Sequence, residues 1–177
     1  MAQGFAVKTA SAHAFLALGS NIGDKAAHLR EAVRRLAALP GTRVLRGSGL
    51  YRTPPWGFED QDWFANGVIE VETTLEPEAL LEAALDVERA MGRVRDQRWG
   101  PRVIDIDLLI HGDARRVGAH LTLPHPAMLA RAFVLVPLGE IAPALMIAGE
   151  SVAAHLARLD SAGIERMGAL AGEPAEA

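Results

Sequence analysis

Between Arg102 and Ile110 the chain reads Arg-Val-Ile-Asp-Ile-Asp-Leu-Leu-Ile. Successive residues of a strand point to opposite faces. A strand over 103–110 puts Ile104, Ile106, Leu108 and Ile110 on one side, which is wholly apolar and must be buried. Asp105 and Asp107 fall on the other side, about 6.6 Å apart along the strand. The apolar side needs a layer of helices over it. The acidic side needs cations, because neighbouring carboxylates repel each other unless charge compensates them.

The remaining pattern supplies those helices. Residues 13–18 read as a first strand, ended by Gly19-Ser20-Asn21-Ile22-Gly23-Asp24, a turn-forming cluster. Asp24 can cap a helix with Ala26, Leu29, Val33, Leu36 and Ala37 along its stripe, and Pro40-Gly41 ends it. Residues 44–52 form a second strand, with Gly47 and Gly49 allowing a bulge or close approach. A loop over 53–62 leads to a strand over 64–73, where Ile69 and Val71 alternate with Glu70 and Glu72. Pro77 opens a second helix lined by Leu80, Ala84, Val87 and Met91 and closed by Gly92. After the arginine-bearing loop 93–101 and the strand over 103–110 come short helical pieces over 125–140 and a last helix over 151–162. Strand, helix, strand, strand, helix, strand predicts a ferredoxin-like α+β fold. Its antiparallel sheet has four strands or slightly more, with helices packed on it. A chain of 177 residues suits one domain, expected over 13–165, with a frayed extension at 1–12 and a loose tail at 166–177.

Composition removes several chemistries. With no cysteine there are no disulfides, thiolate zinc sites or cysteine nucleophiles, which fits a reducing, cytoplasmic setting. No apolar run approaches the ~20 residues of a membrane span. A net charge of −4 argues against nucleic-acid binding driven by bulk charge. Within that balance Arg89, Arg93, Arg95, Arg98 and Arg102 crowd together, and arginine's planar fork suits phosphate oxygens. No Walker Gly-x-x-x-x-Gly-Lys-Ser/Thr and no kinase His-Arg-Asp or Asp-Phe-Gly set occurs.

Three constellations carry chemistry. Asp105 and Asp107 form a natural site for magnesium, which takes oxygen ligands and shares substrate phosphates. With the arginines they point to phosphoryl transfer. The bland alternative is a solvated strand face beside a solvated basic surface. Trp56, Phe58, Trp63 and Phe64 crowd one loop and strand start, Trp99 lies in the arginine loop, and Phe133 follows Arg131. A flat heteroaromatic substrate can stack between two such rings, with Asn66 reading its edge through the amide. Core packing is the alternative for Phe64 and Phe133, and a lid is the reading for Trp56 and Trp99. Third, a helical turn brings His125 and Arg131 to one side, where the histidine can donate to a phosphate oxygen. The other histidines lack metal-ligand spacing and read as surface or packing residues.

Taken together, these residues resemble the 6-hydroxymethyl-7,8-dihydropterin pyrophosphokinases of the folate pathway. The resemblance spans about residues 15–143. It rests on Leu18-Gly19-Ser20-Asn21, Tyr51-Arg52-Thr53-Pro54-Pro55, Phe64-x-Asn66 and Gly92-Arg93-x-Arg95. It continues through Arg98-Trp99-Gly100-Pro101-Arg102-x-x-Asp105-x-Asp107, Pro124-His125, Arg131-x-Phe133 and Glu140-Ile141-Ala142-Pro143. It implies that the hydroxymethyl oxygen of the pterin attacks the β-phosphorus of ATP and AMP leaves. It further implies two magnesium ions on Asp105 and Asp107, with Arg93 and Arg102 catalytic beside them. Glu88, Arg95, Trp99, Arg102, His125 and Arg131 would face ATP. Gly19, Thr53, Pro54, Trp56, Asn66 and Trp99 would edge a pterin held between Phe64 and Phe133. A monomer with small-molecule partners, and neither nucleic acid nor membrane, is expected. Two rivals are a metal-dependent glycosyltransferase using Asp-x-Asp and a ferredoxin-like nucleic-acid-binding module without catalysis. The first needs a larger nucleotide-sugar domain. The second needs a basic sheet face bearing exposed aromatics, where this chain has an acidic strand.

Overall fold

A computed structural model describes residues 10–55, 61–93 and 102–170. Strand β1 (Ala12–Ser20) leads into helix α1 (Lys25–Ala37), followed by strands β2 (Thr42–Gly47), β3 (Gly49–Thr53) and β4 (Phe64–Thr73). Helix α2 (Pro77–Ala90), strand β5 (Asp105–His111) and helix α3 (Ala132–Ile141) come next. A small hairpin of β6 (Met146–Ile147) and β7 (Glu150–Ser151), helix α4 (Val152–Ala157) and strand β8 (Glu165–Ala169) complete the order. One antiparallel sheet runs β5-β1-β4-β3-β8, with β2 also paired to β4. This is the expected ferredoxin-like α+β frame, enlarged by β8.

Local chemistry sets the helices. Asp24 accepts the Ala27 N–H at 3.1 Å and caps α1, satisfying a donor the helix itself cannot pair. Leu29, Ala32, Val33 and Leu36 form its buried stripe. Pro77 occupies the first turn of α2, where a missing N–H costs nothing. The buried stripe of α2 runs Leu80, Ala84, Val87 and then Glu88, a carboxylate on the apolar side.

Helices α1 and α2 cover one sheet face, against Leu16 and Leu18 of β1, Ile69 and Val71 of β4 and Ile106 and Leu108 of β5. The opposite face is divided. Phe15, Ala17, Val68 and Leu109 pack under Val134, Leu135 and Leu138 of α3 and Val152 of α4. The rest of that face, around Gly19, Asn66, Asp105 and Asp107, borders an open cleft.

Several boundaries differ from expectation, each for a local reason. Ile110 does not share a side with Ile104, Ile106 and Leu108. Leu16 pairs with Leu108 but Phe15 pairs with Ile110, so Leu109 is an extra residue and β5 bulges. That single insertion reverses the facing of the later residues in the strand, and both Leu109 and Ile110 join the core beneath α3. The strand expected over 44–52 breaks at Ser48, whose hydroxyl accepts from Val68 N–H and donates to Gly49 O. The last helix stops at Ala157. The tail from 166 is not loose through Leu170. Residues 165–169 pair with β3, Arg30 holds the Ala169 carbonyl at 3.0 Å, and Leu170 is fully buried. Glu-Arg-Met-Gly-Ala lacks strand alternation, so pairing and one leucine anchor hold that edge. At the other end Ala12, assigned to the frayed extension, pairs with Thr73. Among the described residues no helix is long and apolar enough to cross a membrane.

Candidate active site

Register across the sheet builds the site. Gly19 of β1 lies opposite Asp105 on one side and Asn66 on the other, and Asn66 lies opposite Tyr51 of β3. One residue row thus runs Asp105, Gly19, Asn66, Tyr51 on a single face. In the neighbouring rows Asp107 stands opposite Ala17, and Thr53 opposite Phe64. The Asn66 amide donates to the Thr53 hydroxyl at 2.6 Å. A Cβ at residue 19 would lie 2.7 Å from Asn66 Oδ1, so glycine is what lets that amide lie flat on the sheet.

Around this row opens a cleft of about 490 Å³. Gly19, Thr53, Pro54, Phe64, Asn66 and Phe133 all line it, so every pterin-side residue expected from the sequence that is described comes together here. Trp56 and Trp99 lie outside the described residues, as does Arg95. Arg131, at the N-terminus of α3, places its guanidinium 5.7 Å from the centre of the Phe133 ring.

A second, larger cleft of about 1030 Å³ lies between α2, β5 and the segment 118–126. Leu81, Leu85 and Leu121 make it apolar at one part, and Arg93 and His125 make it polar at another. Asp105 and Asp107 line both clefts.

The two carboxylates sit in unlike surroundings. Asp105 Oδ1 accepts from Arg93 at 2.8 Å and Oδ2 from Arg102 at 2.7 Å. Asp107 is densely enclosed although part of it faces the clefts. Burial foremost, and then the charges of Asp105 and Glu88, push its carboxyl up to about 7, against the pull of Arg131 and Arg102. Asp105 is thus held between two guanidiniums, whereas the charged form of Asp107 is disfavoured. Among the described residues no group of three or more His, Asp or Glu ligands gathers.

Glu88 is 2 % exposed. Its Oε1 accepts from both Arg93 and the Ile106 N–H, each at 2.7 Å. It borders the second cleft, but these bonds make it the anchor that orients Arg93 and the start of β5. His125 accepts the Ala127 N–H on Nδ1 at 3.2 Å, which leaves the proton on Nε2. Burial first, and then the charge of Arg131, lower its pKa against the pull of Asp105. It is a neutral N–H donor at pH 7. Its backbone N–H is bound to Leu109 O at 2.9 Å, fixing it beside β5.

The role of Asn21 was not apparent in the sequence. Its backbone N–H donates to Arg102 O at 3.1 Å and its Oδ1 accepts from Arg102 N at 2.7 Å. Its amide also donates to Gln61 Oε1 at 2.8 Å. It ties together the residues at which two segments re-enter the sheet. Lys25 reinforces this corner, pairing with Asp62 at 2.9 Å and lying 3.9 Å over the Trp63 ring. A buried asparagine straight after a strand is the signal that could have found it. The cleft wall over 118–122 had no such signal.

Comparison with known proteins gives a consistent result. The family model described as 7,8-dihydro-6-hydroxymethylpterin-pyrophosphokinase matches residues 15–143. A Methylorubrum extorquens protein named 2-amino-4-hydroxy-6-hydroxymethyldihydropteridine pyrophosphokinase is 58% identical over 87% of this chain and 98% of its own length. A Bacillus subtilis protein of the same name is 44% identical over 72% of this chain and 77% of its own. A crystal structure of Plasmodium falciparum HPPK-DHPS aligns with a TM-score of 0.67 at 14% identity, covering 83% of this chain and 45% of that one. At that identity it speaks to fold alone.

Proposed function

Because the chain belongs to the 7,8-dihydro-6-hydroxymethylpterin-pyrophosphokinase family, we propose that its smaller cleft takes the pterin, its larger cleft takes ATP, and the reacting groups meet at Asp105 and Asp107. The activity is ATP-dependent transfer of pyrophosphate to 6-hydroxymethyl-7,8-dihydropterin in folate biosynthesis. A non-catalytic nucleic-acid module is not favoured. The observation that carries the site assignment is that two clefts of different character share one wall, and that wall is the carboxylate pair.

In this reading the pterin ring stacks between Phe64 and Phe133, with Asn66 along its polar edge and Thr53 and Pro54 closing one side. Its hydroxymethyl oxygen attacks the β-phosphorus and gives up its proton to solvent, the bond from that phosphorus to the α-bridging oxygen breaks, and AMP departs with that oxygen. Arg93 and Arg102 sit on Asp105 through Nη1, and a guanidinium has five N–H donors, so each can also reach phosphate oxygens. Arg131 and the neutral His125 Nε2–H add donors from the α3 side. Arg95 and Trp99 complete the nucleotide set by their motif positions. Positioning and charge stabilisation carry the rate, without a covalent intermediate or a strong base.

The donor set suits a hard cation: two carboxylates, all-oxygen, with Asp107 holding its proton too firmly for an ordinary surface acid. Asp105 and Asp107 would hold magnesium, which when bound would offset the charge of the triphosphate. Two ions are the number the family resemblance implies, and they would offset four of the roughly six negative charges that ATP and the aspartates bring. Both clefts come from one chain, so a monomer suffices, and a chain without cysteine suits a reducing cytoplasm.

Incubation with magnesium, ATP and the pterin alcohol should yield AMP in step with pyrophosphorylated pterin, as read by nucleotide separation. ADP, or no turnover, would overturn the assignment. Gly19→Ala would press a methyl group onto the Asn66 amide. The pterin KM should rise about tenfold with the ATP KM little changed, as steady-state kinetics would show.

A further inference from the structure

Two residues of the family-like motifs, Tyr51 and Glu140, have no task in the transfer as described. They touch each other. Glu140, in the last turn of α3, accepts the Tyr51 hydroxyl on Oε2 at 2.7 Å and the Gly49 N–H on the same oxygen at 2.8 Å. Its Oε1 accepts from Arg166 of β8 at 3.2 Å. A Cβ at residue 49 would lie 2.4 Å from Arg166 Nε, so a glycine there opens the path for that arginine.

The contact is strong for its kind. Burial, and then the hydrogen bond and charge of Glu140, push the Tyr51 hydroxyl up to about 12. Burial acts against the Glu140 carboxylate, but the bonds from Tyr51 and Gly49 and the charge of Arg166 keep its pKa below the usual value. A protonated phenol thus meets an ionised carboxylate throughout the neutral range, and charge-assisted bonds of this sort are stronger than neutral ones.

Its placement gives it leverage. Helix α3 has ten residues with Pro137 inside it and spans roughly 15 Å. Its far end carries Phe133 and is capped by Arg131, which line the smaller cleft. Thr53 lies two residues along β3 from Tyr51, on the same face, and pairs with Phe64. The clamp joins the helix bearing one aromatic wall to the strand beside the other. We propose that Glu140 and Tyr51 are positioning residues that set the gap between Phe133 and Phe64, and so tune binding of the pterin rather than of ATP. This rests on the reading of the smaller cleft as the pterin site.

The test is steady-state kinetics on Tyr51→Phe, Arg166→Gln and Phe133→Ala, with KM for the pterin alcohol and for MgATP measured separately. Tyr51→Phe should raise the pterin KM about three- to tenfold and leave the MgATP KM within about twofold. Arg166→Gln, at an exposed edge, should move the pterin KM the same way by less. A purely structural loss would lower the active fraction, and hence kcat, without splitting the two KM values. If Tyr51→Phe leaves the pterin KM unchanged or moves both KM values alike while Phe133→Ala raises the pterin KM, the positioning role is wrong and the cleft assignment stands. If Phe133→Ala also leaves the pterin KM unchanged, the cleft assignment fails and takes this inference with it. Should Tyr51→Phe not fold, Arg166→Gln decides by the same split.

Discussion

Replacing Asp107 by asparagine should eliminate turnover and at the same time make the metal-free protein more stable at pH 8. The loss comes from removing one of two carboxylates on the wall shared by both clefts; a drop of about a thousandfold or more in kcat is expected for an electrostatic group at a reacting centre. The gain comes from linkage. The Asp107 carboxyl titrates near 7 when folded, against 3.8 for an ordinary aspartate. Below the unfolded value it is protonated in both states and costs nothing. As pH rises through the folded value the enclosed charge must be borne, and that part of the stability is lost. Asparagine never ionises, so its advantage should be small near pH 4, grow between about 4 and 7, and level off above, reaching a few kcal/mol at most. Thermal melts with a chelator present, at pH 4.5 and pH 8, would measure it. A variant less stable than the parent at pH 8 would contradict this account. Added magnesium should recover part of the deficit in the parent and none in the variant.

Glu88→Ala is expected to damage both fold and function. The side chain is buried and its Oε1 holds Arg93 and the Ile106 N–H together. Its removal leaves a guanidinium with a side-chain exposure of only 10 % short of a partner, and a buried amide unpaired. Breaking a buried pair from one side typically costs roughly 3–5 kcal/mol. Among the described carboxylates Arg93 would then keep Asp105, so kcat should fall even at temperatures where the variant is folded. Glu88→Gln separates the two parts. Its amide oxygen can still accept from Ile106, so stability should recover further than kcat. Denaturant unfolding and initial rates on the two variants would check this, and equal recovery of both would argue against an orienting role for the charge.

Glu88 also shows how far the sequence could be read. Its position four residues after Ala84, on the stripe of α2, was visible in the pattern, and a carboxylate there had to have buried partners. Motif likeness suggested a nucleotide contact, and Glu88 does border the larger cleft; its bonds to Arg93 and Ile106 were the part that the pattern did not give. The elements that carry the site were legible for a simple reason: α1 and α2 have helical stripes, β4 alternates over residues 69–72, and β1 is an apolar run closed by a turn-forming cluster. The row Asp105, Gly19, Asn66, Tyr51 was not, because register between strands far apart in sequence depends on pairing rather than on local pattern. The bulge at Leu109 was hidden among consecutive apolar residues, where either phase buries a side chain. Strand β8 was hidden because an edge strand needs no alternation when a single leucine and a neighbour's backbone hold it. Asn21 was quoted as part of a motif, yet its bonds join segments that the sequence keeps 40 and 81 residues apart.

The extra residue in β5 decides what seals the far end of the acidic side. Unbroken alternation would continue that side of the seven-residue ribbon through Leu109 to His111. The shift of phase brings Ile110 in beside Leu109 beneath α3 instead, and His111 turns away to hold the Leu75 carbonyl. Two apolar side chains rather than one therefore close the sheet immediately behind the carboxylates.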